Sequence, residues 1–599
     1  MRILNSILAL LCLVLTAQAQ TATDNIVISD ATCQYWPVAA DDGTLRFKNK
    51  TQTTYLAERM GGWVEPAIYY GNDITLDSYS AGLGNVAQFK SIEPPGVFYG
   101  DMRVCYYQLY LSRKGKKATA RFERTFNDCR FVDCIFLDDD YLTRHKRLEI
   151  TLPKGYRLEE YNLNEHISKQ QYTDAKGNRI VSYTITDQPA ARQEQHMPSA
   201  LKWRPCVLLL GAFRDVSDLY TWSQQQSDVD CRVANIDSLL TAIATDATTK
   251  EERMRRTFAW VQSNIRYVAY EAGKASHRPD TPAEVLRKRY GDCKGMSLLL
   301  KTLLQAQGID ARLTYVGTDD IPWKPSDVPA LVALNHVICI ATADTTSYYL
   351  DPTTRFQPAE YVPAYLQGHE ALMEDGTGYA VVNIPALSPS ASTDSLRYDV
   401  TIGDRCLDIR AVASWSGTMK ELILRSYRTE DTKDKGELTS RLLNADDRHR
   451  TVTRATWTAD TCSAQWAVLE GVLTDPKAVI TTGTETYVEL DPHSDMMAMP
   501  IDTAQRVNDV ELPFCCHTVR EVCLTLPEGA QAGPLPKGTS IRLPQATLSC
   551  TFEQVGRSIV FRKVMTVHKR LIPRQQIPQW NAALRRWHNA CSEQVILKR

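Results

Sequence analysis

The sequence lacks a surplus of charge of either sign. It has 69 Lys and Arg residues against 70 Asp and Glu residues. Removal of residues 1–19 would delete only Arg2 from this balance, which leaves 68 basic and 70 acidic residues and a formal charge of −2. Such a chain offers no dominant basic surface for phosphate backbones or anionic lipids. We therefore expect no nucleic-acid partner and no polybasic attachment to a membrane.

Long apolar runs are missing once the N-terminus has been passed. Residues 7–15 form an apolar stretch that follows Arg2, and Ala17-Gln18-Ala19 is a small-x-small cleavage signal. No later run approaches the ~18 apolar residues that a membrane-spanning helix needs. The pattern predicts a signal peptide at residues 1–19 that is cleaved after Ala19. The mature chain is expected to be secreted or periplasmic, without a transmembrane segment.

Metal-ligand spacing is absent as well. Cys515-Cys516-His517 has no second Cys/His pair at zinc-finger spacing, so strand cysteines in disulfides are the favoured reading. We expect no metal and no cofactor. Of the 16 cysteines, Cys12 would leave with the signal peptide. The remaining 15 allow up to seven disulfides and one free thiol, for which Cys293 is a candidate, but the pairing is not readable from the sequence.

Cys293 is the most informative residue that is present. It lies in Tyr290-Gly291-Asp292-Cys293-Lys294-Gly295, directly before a stretch with helical spacing of apolar residues, and Gly308 is placed to end that helix. A thiol in the first turn of a helix meets unpaired N–H groups and the positive end of the helix dipole, which favour the nucleophilic thiolate. The apolar positions are Met296, Leu299, Leu300, Leu303 and Leu304.

Two further residues complete a possible triad. His336 begins one apolar run and Asp351 ends the next, with a turn-like stretch between them. A hairpin centred between Ala343 and Asp344 would place His336 directly opposite Asp351, with β-carbons about 5 Å apart. The order Cys, His, Asp is that of a thiol-protease triad: nucleophile, general base and orienter.

A purely structural interpretation of the same residues remains open. Cys293 would then be a buried or disulfide-bonded cysteine, His336 a satisfied histidine at a strand start, and Asp351 part of an ordinary turn with Pro352. Tyr267, upstream of the nucleophile, either lines the cleft or is a buried tyrosine bonded to the backbone. The Asp- and Pro-rich segment 318–329 either gates the site or is a surface excursion.

The sequence from Glu251 to Thr354 resembles the transglutaminase-like superfamily, most closely the secreted bacterial type with an N-terminal β-domain of unknown function. The resemblance implies a papain-like core with Cys293 as nucleophile, His336 as general base and Asp351 as orienter. It rests on Ile265-Arg266-Tyr267, Pro282-Ala283-Glu284-Val285-Leu286, Arg289-Tyr290-Gly291-Asp292-Cys293-Lys294, Asn335-His336-Val337 and Leu350-Asp351-Pro352-Thr353.

The expected fold class is α+β, with the transglutaminase-like core flanked by antiparallel β-sandwich domains. Period-two alternation at residues 147–152 and 180–185 predicts strands on the N-terminal side. The predicted units are the signal peptide, an N-terminal β-domain (25–240), the core (248–365), one or two C-terminal β-domains (380–570) and a docking helix (577–595). Trp580, Ala583, Leu584, Trp587 and Cys591 share one face of that helix.

The function predicted from these features is exported, thiol-dependent acyl transfer from an amide or peptide bond. The acceptor is water in a peptidase or amidase, or an amine in a transglutaminase, and the sequence does not distinguish them. The expected partner is a peptide or protein substrate. The alternative is a non-catalytic envelope binding or scaffold protein that retains the fold.

Overall fold

The computed structural model describes residues 25–598 except 42, 93–96, 133, 272–276, 405, 430–431, 462, 496 and 505. The predicted signal peptide lies outside the described residues. Helices are concentrated in the middle of the chain and sheets on both sides of it, so the predicted α+β class is confirmed. Within the described part, no helix is long and apolar enough to cross a membrane.

The N-terminal region consists mainly of strands. The alternation at residues 147–152 and 180–185 is present in the structure, since Leu148, Ile150, Val181 and Tyr183 are buried. The strands are β1 (Ile26–Ala39), β2 (Leu45–Ala57), β3 (Gly62–Val64), β4 (Ala67–Tyr70), β5 (Ile74–Ser80), β6 (Gln88–Ser91), β7 (Val97–Gly100), β8 (Arg103–Tyr106), β9 (Leu109–Leu111), β10 (Lys117–Phe126), β11 (Ile135–Phe136), β12 (Thr143–Leu152), β13 (Arg157–Tyr161), β14 (Ile167–Thr173), β15 (Arg179–Gln188) and β16 (Cys206–Leu210).

A seven-stranded sheet in the order β14-β15-β12-β1-β2-β10-β5 dominates this region. Its pairs are antiparallel except β1 with β12, which run parallel. Smaller sheets, among them β4-β8-β6 and β11-β16-β13, pack against it around two apolar clusters. The result is a layered β-domain with two apolar clusters between its sheets.

Helices connect this domain to the core and form one layer of it. Helix α4 begins at the cap residue Thr249, whose side chain accepts a hydrogen bond from the N–H of Glu252, and it buries Met254, Phe258 and Val261. The helices up to the nucleophile are α1 (Ala200–Trp203), α2 (Val216–Gln226), α3 (Ile236–Ile243), α4 (Lys250–Asn264), α5 (Pro282–Lys288) and α6 (Cys293–Gln305).

The other layer of the core is a five-stranded antiparallel sheet in the order β22-β21-β20-β23-β24. This sheet continues to Asn383, beyond the core limit of residue 365 expected from the sequence. The core strands are β17 (Arg266–Tyr267), β18 (Ala269–Glu271), β19 (Tyr290–Gly291), β20 (Asp310–Val316), β21 (His336–Ala343), β22 (Thr346–Leu350), β23 (Glu370–Asp375) and β24 (Gly378–Asn383).

The segment 318–329 is not a surface excursion. Its side chains Ile321, Trp323 and Val328 are buried in one cluster with Leu208 and Leu210 of β16. These contacts fix the core to the N-terminal domain beside the site.

The C-terminal region surrounds one large apolar cluster. Its main sheet has the order β27-β28-β26-β25-β32-β36-β35-β34, with β25 and β32 parallel, and a four-stranded sheet has the order β29-β30-β38-β33. The elements are β25 (Thr393–Ile402), β26 (Leu407–Ser416), α7 (Gly417–Thr429), α8 (Thr432–Leu443), β27 (Thr451–Ala459), β28 (Trp466–Asp475), β29 (Val479–Thr482), β30 (Glu485–Val488), β31 (Val510–Glu511), β32 (Cys516–Thr525), β33 (Gln531–Ala532), β34 (Thr539–Arg542), β35 (Ala546–Val555), β36 (Ser558–Val567), β37 (Leu571–Ile572), α9 (Ile577–Cys591) and β38 (Val595–Lys598).

Helix α9 docks on this sheet through the face that the sequence indicates. The indole N–H of Trp587 donates a 3.0 Å hydrogen bond to the carbonyl of Ser549 on β35. The predicted apolar face is buried throughout its length, at Trp580, Ala583, Leu584, Trp587 and Cys591.

Candidate active site

Cys293 is the first residue of helix α6. The preceding residue, Asp292, caps the helix, and its carboxylate accepts a 2.8 Å hydrogen bond from the N–H of Gly295. A β-carbon at Gly295 would lie 3.2 Å from Val285, so glycine allows α5 to pack closely against this turn. The five apolar positions predicted for α6 are all buried, and Gly308 has the expected left-handed backbone, with φ +70°. The local sequence therefore positions the thiol at the start of a well-packed helix.

His336 is the first residue of strand β21. One turn after Cys293, the hydroxyl of Ser297 donates a 2.9 Å hydrogen bond to the carbonyl of Val337. This buried bond fixes the start of the helix against the start of the strand. The thiol of Cys293 lies close enough to the imidazole of His336 to contribute to raising the pKa of that imidazole.

Asp351 follows strand β22 and lies within reach of His336. Its Oδ2 is 2.7 Å from Nε2 of His336. Because Nε2 is engaged by the carboxylate, Nδ1 is the ring nitrogen available to Cys293. The three residues predicted from the sequence are therefore brought together in the order thiol, imidazole, carboxylate.

The hairpin register predicted for this pair is wrong. Ala343 pairs with Thr346, so the turn is centred between Asp344 and Thr345, and Asp344 has the positive φ of +53° that tight hairpin turns favour. In this register His336 is not directly opposite Asp351. The position opposite His336 is two residues after Asp351. A shift of two residues leaves both side chains on the same face of the sheet, whereas a shift of one would place them on opposite faces. His336 and Asp351 therefore still meet.

Asp351 is held by more hydrogen bonds than the sequence indicates. Tyr365 donates its hydroxyl to Oδ2 at 2.6 Å, and Thr353 donates its N–H and its hydroxyl to Oδ1 at 2.9 and 2.7 Å. The ring of Tyr365 also lies edge-on to the ring of His336, with centroids 6.0 Å apart. No sequence motif pointed to Tyr365, which lies on a short 3-10 helix (Ala364–Leu366) between β22 and β23.

The charges of the pair stabilise each other. Burial alone would lower the pKa of His336, but the Asp351 carboxylate and the Cys293 thiol raise that pKa to about 10. Burial alone would raise the pKa of Asp351, but the charge of His336 and the hydrogen bonds from His336, Tyr365 and Thr353 lower it overall. An imidazolium next to the sulfur favours the thiolate form of a cysteine.

Cys293 and His336 open onto a cleft with a volume of about 400 Å³. The N-terminal domain forms one side of the cleft through residues such as Asn72 and Asp101, and no sequence motif predicted this position for them. Tyr267 lines the cleft on the core side and is 40% exposed, so the reading of a buried tyrosine is wrong.

An aromatic group closes another part of the cleft. The ring of His277 lies 5.3 Å from Phe131 of the N-terminal domain and 5.1 Å from Trp222 of helix α2. Burial, followed by the positive charges of Lys294 and Arg130, lowers the pKa of His277 to about 4. This histidine is therefore neutral across the physiological range.

Comparison with known proteins supports this assignment of the core. Residues 237–338 match the family model of the transglutaminase-like superfamily. The core is transglutaminase-like. The predicted resemblance is thereby confirmed for this part of the chain. Residues 485–597 match a second family model, a domain of unknown function named DUF3858. A search of the curated proteins found no match.

One solved structure shares the overall fold of this chain. It is described as a "putative protease" from Parabacteroides distasonis ATCC 8503, and it matches with a TM-score of 0.60 and 12% identity over 96% of this chain and 100% of its own. Two further structures are too distant to support any argument. One is described as a putative nutrient binding protein from Legionella pneumophila and matches with a TM-score of 0.21 and 12% identity over 41% of this chain and 81% of its own. The other is an M1 zinc metallopeptidase from Deinococcus radiodurans and matches with a TM-score of 0.18 and 9% identity over 47% of this chain and 63% of its own.

Proposed function

We propose that this chain is an exported cysteine peptidase or amidase with Cys293, His336 and Asp351 as its catalytic triad. The observation that carries the proposal is the 2.7 Å pairing of the His336 imidazole with the Asp351 carboxylate, next to the Cys293 thiol and at the mouth of a cleft. The description of the Parabacteroides structure as a protease agrees with it. Export is proposed from the signal-peptide pattern of residues 1–19.

In the proposed reaction the thiolate of Cys293 attacks the carbonyl carbon of an amide. His336, as imidazolium, donates its proton to the departing amine, and a thioester forms on the sulfur. His336 then removes a proton from water, which attacks the thioester and releases the acid. Asp351 holds the ring and stabilises its charge in both steps. The N–H of Cys293, in the first turn of α6, is the proposed backbone donor to the oxyanion.

The acceptor can be water or an amine, and a single experiment separates them. Purified mature protein is incubated with a mixture of peptides and glutamine amides, with and without an excess of a small primary amine. Hydrolysis gives acids in both samples, whereas amine transfer gives new amides in the second. We expect acids to dominate in both.

The matched controls are Cys293→Ala and Cys231→Ser. Cys231 is an exposed free thiol outside the cleft, so its loss tests for non-specific thiol chemistry. We expect turnover to disappear in Cys293→Ala and to be unchanged in Cys231→Ser. Full turnover in Cys293→Ala would contradict the mechanism. A wild-type protein that neither turns over a substrate nor reacts with an active-site alkylating probe would favour a scaffold role.

A further inference from the structure

Exposed aromatic rings are concentrated on one small sheet of the N-terminal domain. Strands β3 and β4 pair with β9 and β8, and the N–H of Tyr107 bonds the carbonyl of Pro66 between the two ladders. The strands therefore form one continuous ribbon. Trp63 is 58% exposed, Tyr69 53% and Tyr110 56%.

Only the inward face of the ribbon packs against the rest of the N-terminal domain. Val64, Ile68, Cys105 and Leu109 are buried in the apolar cluster beneath it. Because neighbouring residues of a strand point to opposite faces, the exposed aromatic residues contribute nothing to that cluster. Trp63 and Tyr110 instead lie side by side on the outside, with ring centroids 5.0 Å apart. Exposed apolar side chains that lie side by side and are rimmed by polar groups are a feature of interaction and ligand-binding sites.

A chain of polar side chains crosses the same outward face. The hydroxyl of Tyr106 donates to Gln88 at 2.7 Å, the amide of Gln88 donates to Gln108 at 3.3 Å, and the amide of Gln108 donates to Glu65 at 2.8 Å. Each group retains further donor or acceptor capacity toward solvent. The face thus combines flat rings with oriented hydrogen-bonding groups between them.

One end of the ribbon leads into the catalytic cleft. Strand β4 ends at Tyr70 and is followed by cleft-lining residues 71–74, and strand β8 is preceded by cleft-lining residues 100–102. Tyr69 is therefore two residues from the wall of the cleft. A long ligand on the outward face would extend toward Cys293.

We propose that this outward face binds a glycan chain. A sugar ring presents C–H groups on its faces, which pack on the negative face of an aromatic ring, and hydroxyls at its rim, which match amides and carboxylates. Glu65 and Lys90 are the charged side chains on the outward face of the described ribbon, so this face has no net positive charge to attract an anionic lipid surface.

Binding of the glycan is independent of the acyl-transfer chemistry. If the proposed peptidase function holds as well, the continuity of the face with the cleft points to substrates in which a peptide is attached to a glycan. Retention of glycan binding by Cys293→Ala would separate the two proposals, because that variant removes the catalysis and leaves the ribbon intact.

The test is affinity electrophoresis of the mature chain in gels that contain hydroxyethyl cellulose, glycol chitin or dextran. We expect retardation in at least one gel, and binding about tenfold weaker in Trp63→Ala and in Tyr110→Ala, as for central aromatic anchors. Phe89→Ala is the matched control. Phe89 is exposed on the same sheet, but it pairs with buried Cys105 and belongs to the opposite face.

Three results would overturn the proposal. The first is migration unchanged by all three polysaccharides. The second is retardation that Trp63→Ala and Tyr110→Ala leave intact, or that Phe89→Ala weakens equally. The third is flotation with vesicles of equimolar phosphatidylcholine and phosphatidylglycerol that depends on Trp63 while no polysaccharide binds, because the face would then be a membrane site. Unchanged melting temperatures of the variants verify that they are folded.

Discussion

Tyr365 and His336 bond to the same oxygen of Asp351. The hydroxyl of Tyr365 lies 2.6 Å from Oδ2, and Nε2 of His336 lies 2.7 Å from it. Because both groups donate to this oxygen, the bond from Tyr365 helps to hold the carboxylate in the position from which it orients the imidazole of His336. Tyr365 is therefore a positioning residue of the proposed triad.

We predict that Tyr365→Phe lowers kcat roughly tenfold and leaves KM nearly unchanged. A hydrogen bond to a charged group contributes about 1.5–3 kcal/mol, and part of this is lost when the ring alone must hold Asp351. Steady-state kinetics on a confirmed substrate measure the effect. Tyr349→Phe, on the neighbouring strand β22, is the control and should keep full activity. An equal rise in KM in Tyr365→Phe would indicate a role in substrate binding instead.

The second prediction concerns the alkaline limit of activity. The pKa of His336 is raised to about 10 from its ordinary value of 6.5, so the imidazolium is present below pH 10 and is lost as pH rises through that value. We expect kcat/KM to stay high through neutral pH and to fall near pH 10.

Asp351→Asn should shift this alkaline limit to lower pH. Without the carboxylate, burial lowers the pKa of His336, and the loss of an opposite charge at this distance shifts a pKa by about 1–3 units. The same change should reduce kcat by on the order of 10³–10⁴-fold, because the imidazolium loses its orienting partner. A pH profile with the same alkaline limit in both proteins would show that Asp351 does not control His336.

The third prediction concerns the reactivity of Cys293. We expect iodoacetamide to alkylate Cys293 at pH 6 at least about tenfold faster in the wild type than in His336→Ala, since the imidazolium favours the thiolate. Mass spectrometry of the Cys293 peptide gives the rate. His145→Ala, at an exposed histidine of the N-terminal domain, should react like the wild type. Equal rates in all three proteins would mean that the thiol is not coupled to His336.

The sequence was most informative where the structure is local. The N-terminal position of Cys293 on its helix, the apolar face of α6 and the two strands that carry His336 and Asp351 follow from residue spacing within about 60 positions. The predicted hairpin register is wrong because Asp344 adopts a positive φ in the turn. A short polar residue tolerates this conformation, so the sequence has no glycine that would indicate where the turn lies.

The non-local features could not be inferred in this way. Tyr365 reaches Asp351 from a short 3-10 helix in the connection between β22 and β23, and Asn72 and Asp101 reach the cleft because two domains pack together. The parallel pairing of β1 with β12 likewise joins strands about a hundred residues apart, and alternation along each strand does not specify its neighbour.

The last prediction concerns a second cysteine site, in the C-terminal domain. Cys550 on β35 and Cys591 at the end of α9 are free thiols, and both are buried in the large apolar cluster of this domain. The neighbouring thiol is the largest influence on each pKa, and it lowers the pKa of Cys550 and raises that of Cys591. An exported chain would encounter oxidants, and we expect this pair to form a disulfide when the protein folds in the presence of glutathione disulfide. The two thiols lose two protons and two electrons, and glutathione disulfide is reduced to two glutathiones.

Such a disulfide would fasten α9 to the sheet and close a loop of roughly 40 residues, which stabilises a fold by up to about 4 kcal/mol. We therefore expect the protein refolded under oxidising conditions to melt at a higher temperature than the reduced protein, and Cys550→Ser to remove the difference. Cys523→Ser, on β32 of the same domain, is the control that should keep it. Peptide mapping should find Cys550 linked to Cys591 while Cys293 remains open to alkylation. A map in which Cys293 is bridged instead would contradict both this pairing and the catalytic role proposed for its thiol, because a sulfur in a disulfide cannot attack a carbonyl.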